Sequence, residues 1–269
     1  MAFVADITTP AERGKGMGML GASISLGFTI GPGIGGALSA IDIVFPFYFA
    51  GVAAIIAAVI SLLVLPNVKS AVALSEQPIA KRENLFKQLV RSTKTSYFMF
   101  LLVVFVFSFG ISNFQATISL YLDEKFNYTP FDISLVLVIG GIIGVILQMF
   151  VIDKLFKRYG EMLVILINLV IASVSTLLII YVSGYFVILT VATIFTIATT
   201  FIRPAVNTLI SKVAGNEQGF AAGMNNAYMS LGNMFGPLLA GTLYDWNHDS
   251  PYVLGAVILM LCFSMTYRW

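Results

Sequence analysis

Seven stretches of this chain contain no Asp, Glu, Lys or Arg: 16–41, 43–68, 95–122, 133–152, 162–202, 218–244 and 250–267. A helix needs roughly 20 apolar residues to cross the hydrocarbon of a bilayer. Six of the stretches hold one such helix each, and 162–202 has room for two around a turn at Ser183-Gly184. Eight spans are therefore expected, near 17–40, 45–65, 95–121, 131–152, 162–181, 185–210, 219–243 and 251–267. Charged residues make up only 10% of the chain, and the mean hydropathy is +0.93. A soluble domain carries about 25% charged residues to cover its surface, so a soluble enzyme is excluded. The short alternating strands of a membrane barrel are missing as well. The fold class expected is all-α and integral to the membrane, with the lipid bilayer as its first partner.

Other chemistries fall away on composition. A net charge of +2 with no basic stripe leaves no footprint for nucleic acid. The single cysteine, Cys262, and the single histidine, His248, support neither a disulfide framework nor a metal centre, so no metal site is expected. No span carries His-Glu metal spacing or paired carboxylates, which argues against an intramembrane enzyme.

Numbering the spans in order puts alternate loops on opposite sides. One side holds Arg13, Lys15, Lys69, Lys81, Arg82, Lys87, Arg91, Lys94, Lys154, Lys157, Arg158, Lys212 and Arg268, whereas the other holds Lys125 alone. Basic loops stay in the cytoplasm, so both ends of the chain are expected there. The segment 66–94 is the one long connection, and it divides 1–65 from 95–269. It reads either as a linker with a short amphipathic helix on the membrane face or as a solvated charged loop. Thr9-Pro10-Ala11-Glu12 and Thr129-Pro130-Phe131-Asp132 have the capping residue, first-turn proline and third-position acid of a helix start.

The chain also repeats itself. Gly18, Gly27, Gly31-Pro32 and Gly35-Gly36 recur as Gly223, Gly232, Gly236-Pro237 and Ala240-Gly241, every pair offset by 205 residues. Small residues at this spacing let two helix backbones approach closely, and a proline within the helix removes one backbone hydrogen bond. Six spans separate the two copies, so the unit is a six-helix bundle. Spans three to eight complete one unit. Spans one and two are the last third of another, whose first four helices are expected to precede this sequence. The whole is expected to be twelve helices in two parallel repeats.

These residues resemble a known family. Gly18 to Gly36 resembles the antiporter signature of the fifth helix in major facilitator drug exporters. Phe201-Ile202-Arg203-Pro204-Ala205, Ala214 to Phe220, Gly223-Met224-Asn225, Pro46 to Gly51 and Ile152-Asp153-Lys154 are similar to the Gram-positive quinolone and multidrug efflux proteins. The resemblance implies export of small hydrophobic or amphipathic drugs, of quinolone and cationic-dye type, by drug/proton antiport with alternating access. It implies a bacterial cell membrane, a proton gradient in place of any cofactor, and a monomer when full length.

The chain departs from the family where protons are handled. The coupling glutamate of the seventh family helix and the aspartate three residues before the Arg-Pro of the tenth are Gln115 and Thr200 here, and no acid remains inside a span. Coupling acids in preceding helices are the favoured reading. An uncoupled facilitator and a truncated, non-transporting homologue are the alternatives.

The candidate substrate-binding residues are Asn113, Phe114, Gln115, Tyr121, Gln148, Arg203, Asn207 and Asn225, the polar and aromatic groups within spans. Arg203 is the one charge well inside a span. It either partners an acid or a substrate carboxylate, or it snorkels to the cytoplasmic face. Asp153, Lys154, Lys157 and Arg158 resemble a reduced copy of the family's cytoplasmic gating loop, with Met149 where that motif has glycine. They read equally as ordinary basic loop charge with one helix cap.

Overall fold

The computed structural model describes residues 23, 27, 30–64 and 84–268. Gly18 and the helix start at Thr9-Pro10 lie outside the described residues. A helical stretch at 30–39 is followed by α1 (Phe45–Val64), the short α2 (Leu85–Ser92), and six long helices. These are α3 (Phe98–Phe126), α4 (Pro130–Phe150), α5 (Ile152–Tyr181), α6 (Tyr185–Val213), α7 (Gln218–Trp246) and α8 (Ser250–Arg268).

Among the described residues, α1, α3, α4, α5, α6 and α8 are long and apolar enough to cross a membrane. The seventh expected span is present as α7, 29 residues long. Its asparagines and glycines keep its apolarity below that of the others. At 1.5 Å per residue a 29-residue helix is about 43 Å long, more than the roughly 30 Å hydrocarbon thickness.

Local chemistry sets the ends. Thr129 and Asp132 form a reciprocal capping box at the start of α4, with Pro130 in the first turn. Asn127 ends α3 in the left-handed region at φ 54°. The turn expected at Ser183-Gly184 separates α5 from α6, and Gly184 takes φ 87° there, a conformation that only glycine adopts cheaply. Gly160, at φ 77° and ψ 157°, interrupts α5, so 152–159 is a short helix ahead of the membrane-crossing part. The amphipathic helix read for the linker is α2, whose Ser92 hydroxyl lies 2.9 Å from the buried Tyr228 hydroxyl of α7.

The bundle is built around α3, which packs against α7, α8 and α6. Next to it α5 packs on α6 and α8, and α4 packs on α6. Phe114 of α3 lies 4.2 Å, centroid to centroid, from Phe195 of α6 and 6.1 Å edge-on from Tyr252 of α8. Tyr121 lies 4.8 Å from the same Tyr252. Tight spots between helices are glycine contacts. A Cβ at Gly232 would sit 2.5 Å from the Phe105 carbonyl oxygen, and one at Gly236 would sit 2.8 Å from that of Phe109. The α7 backbone thus rests directly on the α3 backbone. Gly140 and Gly144 of α4 do the same for α6, with Thr196 Oγ1 and Thr200 Oγ1 at 3.1 and 3.0 Å from their would-be Cβ atoms.

The first copy of the repeat makes a different contact. Gly27, Gly31 and Gly35 meet nothing within 4 Å among the described residues. Instead, a Cβ at Gly33 would sit 2.6 Å from Val138 Cγ2, and one at Gly36 would land on the Ser134 side chain, 2.9 Å from the Pro130 carbonyl oxygen. This stretch leans on α4, while no residue of α1 is buried.

Candidate functional site

A lipid-facing helix surface is apolar, because an unpaired polar group in hydrocarbon costs several kcal/mol. One face of this bundle breaks that rule. On α3, Gln115 and Ser119 are exposed, with Ser112 half-buried one turn before Gln115. On α7, Asn226, Ser230 and Asn233 are exposed along one stripe, as the three- and four-residue spacings require. On α6, Arg203 and Asn207 are exposed one turn apart. Two interhelical pairs tie the three helices together at this face. Ser112 Oγ donates to Asn233 Oδ1 at 2.8 Å, and Asn225 Nδ2 donates to Asn207 Oδ1 at 3.2 Å. Such pairs contribute about 0.6 kcal/mol each, so they orient side chains more than they hold helices. The result is a polar surface built from α3, α6 and α7 at membrane depth.

The structure sorts the residues singled out from the sequence. Gln115, Arg203 and Asn207 lie on the polar face, and Asn225 reaches it through its bond to Asn207. Gln148 is half-buried near the end of α4. Three residues are inside the bundle instead. Asn113 is 1% exposed, beneath the Gly236 contact and 3.8 Å from the position of a Gly255 Cβ. Phe114 fills the aromatic core, and Tyr121, fully buried, donates to Asp249 Oδ1 at 3.0 Å. Thr200 bonds the Thr196 carbonyl at 2.7 Å and packs on Gly144, so it serves the α4–α6 seam.

Ser112, Ser119, Ser230 and Asn233 belong to this face and were not singled out from the sequence. Their signal was spacing: Ser112, Gln115 and Ser119 mark one side of α3, and Asn226, Ser230 and Asn233 one side of α7. The tight glycines Gly33, Gly140 and Gly144 were passed over too, although Gly140 and Gly144 stand four residues apart.

Charge collects at the two ends of the bundle. At one end Lys125 bonds the Tyr121 hydroxyl and lies 3.6 Å from Asp249, while Glu124 accepts from Tyr244 at 2.8 Å and lies 3.6 Å from His248. At the other end Arg91 of α2 pairs with Glu217 at 2.8 Å and covers the Phe220 ring, and Lys212 pairs with Glu161 at 2.5 Å. Burial, and then the nearby Glu217 carboxylate, push the Tyr97 phenol above its ordinary pKa. Asp153, Lys154, Lys157 and Arg158 are all exposed on the short helix before Gly160, at this same end. Two shallow clefts lie away from the polar face. One, about 360 Å³, is an apolar groove between α5 and α8 beside Leu163 and Phe263, and the other, about 430 Å³, lies between Arg91, Tyr97 and Glu217.

Comparison with known proteins agrees with this architecture. The sequence profile of the Major Facilitator Superfamily matches residues 1–232 and again 100–269. Multidrug resistance protein 2 of Bacillus subtilis (strain 168) is 39% identical over 272 residues, covering 100% of this chain and 67% of that protein. Multidrug resistance protein 1 of the same organism is 37% identical, covering 100% of this chain and 68% of its own length. Quinolone resistance protein NorA of Staphylococcus aureus (strain Mu50 / ATCC 700699) is 34% identical, covering 96% of this chain and 67% of its own length. A polytopic helical bundle with a polar face at membrane depth, matched by this profile along its whole length, belongs to the major facilitator superfamily of membrane transporters.

Proposed function

We propose that this protein exports small hydrophobic or amphipathic compounds, of quinolone and cationic-dye type, across the bacterial cell membrane. The observation that carries the reading is the polar face of α3, α6 and α7, in a chain whose relatives are named for multidrug and quinolone resistance. Residues 95–269 act as one bundle, 66–94 as the linker, and 1–65 as the end of a second bundle. Substrate occupies the space between the bundles near the midplane, and rocking of one against the other exposes it to each side in turn. The full-length protein works as a monomer, uses the proton gradient rather than a cofactor, and binds no nucleic acid. The ends bearing Arg91, Lys154, Lys157, Arg158 and Lys212 face the cytoplasm, as their basic charge favours.

One observation favours a second reading, an uncoupled facilitator. Gln115 and Thr200 do not titrate, and 98–121, 133–150, 162–181, 185–210 and 218–243 contain no Asp or Glu. The test is efflux of ethidium and of a quinolone from bacteria stripped of their own exporters. Expression of the full-length protein should lower accumulation below the empty-vector level, and a protonophore should abolish the difference. Equilibration that ignores the protonophore supports the facilitator, and accumulation equal to empty vector overturns both readings.

A further inference from the structure

Two hydrogen-bond donors deep in the bundle find no protein partner among the described residues. They are Nδ2 of Asn113 on α3 and the hydroxyl of Tyr252 on α8. Asn113 is 1% exposed and Tyr252 is 0% exposed. Both are enclosed by the helices around them, so no other segment can reach in to pair with them. A buried donor left unpaired is destabilising, and nearly all such groups bond either to protein or to ordered water.

The two donors belong to one cluster. Thr117, buried one turn on from Asn113, stands beside the Tyr252 phenol but outside hydrogen-bond geometry. Its own proton goes to the Asn113 carbonyl at 3.1 Å, which leaves its oxygen as an acceptor. Thr176 of α5, also buried, likewise spends its proton on the Ala172 carbonyl at 2.8 Å. Gly255 supplies the room, three residues after Tyr252 on α8. A Cβ there would still be 3.6 Å from Thr176 Cγ2 and 3.8 Å from Asn113 Oδ1. The glycine therefore leaves space where α3, α5 and α8 meet, lined by polar groups.

We infer that this space is a binding site for one water molecule, held by Asn113, Thr117 and Tyr252 against Gly255, and that the water ties α3 to α8 inside the bundle. A buried water makes about three hydrogen bonds. This one accepts from the Asn113 amide and from the Tyr252 phenol, and donates to the Thr117 oxygen. A metal cation does not fit, because it needs acceptors and the unpaired groups are donors. An apolar occupant would leave both donors unpaired. Asn113, a candidate substrate contact by sequence, thus serves the interior of one bundle. The inference stands apart from the transport reading and does not depend on it.

The test is hydroxyl-radical footprinting of the purified full-length protein in lipid nanodiscs, with X-rays generating the radicals from water and mass spectrometry reading the products. A radical formed from a bound water oxidises the side chain beside it even where bulk solvent does not reach. After correction for intrinsic reactivity, Tyr252 should be oxidised faster than the buried Phe107 and Phe201. Asn113→Leu, similar in size and apolar, should abolish that oxidation and lower the melting temperature, because the water loses a partner and the phenol is stranded. In a dry cluster the same change removes an unpaired donor and raises the melting temperature, so the sign of the shift decides. Tyr252→Phe should lower it too, and should cost little more once residue 113 is leucine, since both side chains act through one water. Tyr252 oxidised no faster than the two phenylalanines overturns the inference, whether or not the variants fold. So does a rise in melting temperature for either variant, and fully additive losses overturn the shared water.

Discussion

Replacing Gly232 by alanine adds one methyl group to α7, and the structure says where it goes. The new Cβ would sit 2.5 Å from the Phe105 carbonyl oxygen, 2.8 Å from the Phe109 amide nitrogen and 2.8 Å from Ser108 Cβ. Two of those neighbours are backbone atoms of α3, which cannot rotate out of the way. The methyl is about 0.5 Å short of the closest distance that ordinary packing tolerates, so α7 must lift from α3 along its most extensive contact. Overpacking of this kind costs about 1–3 kcal/mol. For a chain of this size each kcal/mol moves Tm by roughly 2–4 °C, so the expected fall is about 2–12 °C. The assay is built into the protein. Cys262 is the sole thiol and is 4% exposed in the folded bundle, so a fluorogenic maleimide reports its exposure on heating. Gly223→Ala and Gly241→Ala are the controls, because a Cβ at either position meets nothing within 4 Å among the described residues. A Gly232→Ala protein that melts with wild type, or a Gly241→Ala protein that loses as much, would refute the claim that the small-residue register marks backbone contact.

Three further outcomes follow from the same geometry. Gln115→Glu should leave the melting temperature within about 2 °C of wild type, since exposed substitutions rarely exceed about 0.5 kcal/mol; Thr200→Asp should lower it by several degrees, because it puts a carboxylate against Gly144 in a half-buried seam that is already tight. Glu217→Gln should loosen α2 from the start of α7, read as faster proteolysis around 84–94, while global melting hardly changes, because the Arg91–Glu217 pair is half exposed and such pairs contribute about 0–1 kcal/mol; unchanged proteolysis would mean that the other contacts of α2, the Ser92–Tyr228 bond and the Arg91–Phe220 stack among them, suffice to hold it. Gly36→Leu should disturb packing far more than Gly31→Leu in the described assembly, since Gly36 is pressed on Ser134 and Gly31 meets nothing within 4 Å among the described residues; equal losses of stability in the two variants would contradict this placement.

Much of this protein was already legible in its sequence. Uncharged runs long enough to cross hydrocarbon marked the helices, because a bilayer admits no other use for them. The capping box at Thr129 and Asp132, the turn at Gly184 and the close contact at Gly232 and Gly236 were likewise readable from residue chemistry and spacing. Azimuth was not. In water a helix declares its buried side by an apolar stripe against a polar one, but in lipid both sides are apolar and that signal fades. Asn113 and Gln115 show the consequence. Two residues apart, they point about 200° apart around α3, so one is buried under α7 and the other opens on the polar face. The two glycine copies show it again: identical spacing puts Gly236 against α3, while its counterpart Gly31 meets nothing within 4 Å among the described residues and Gly36 touches α4 instead. Spacing along a chain determines which residues can share a helix face, and only the arrangement of neighbouring helices decides what that face meets.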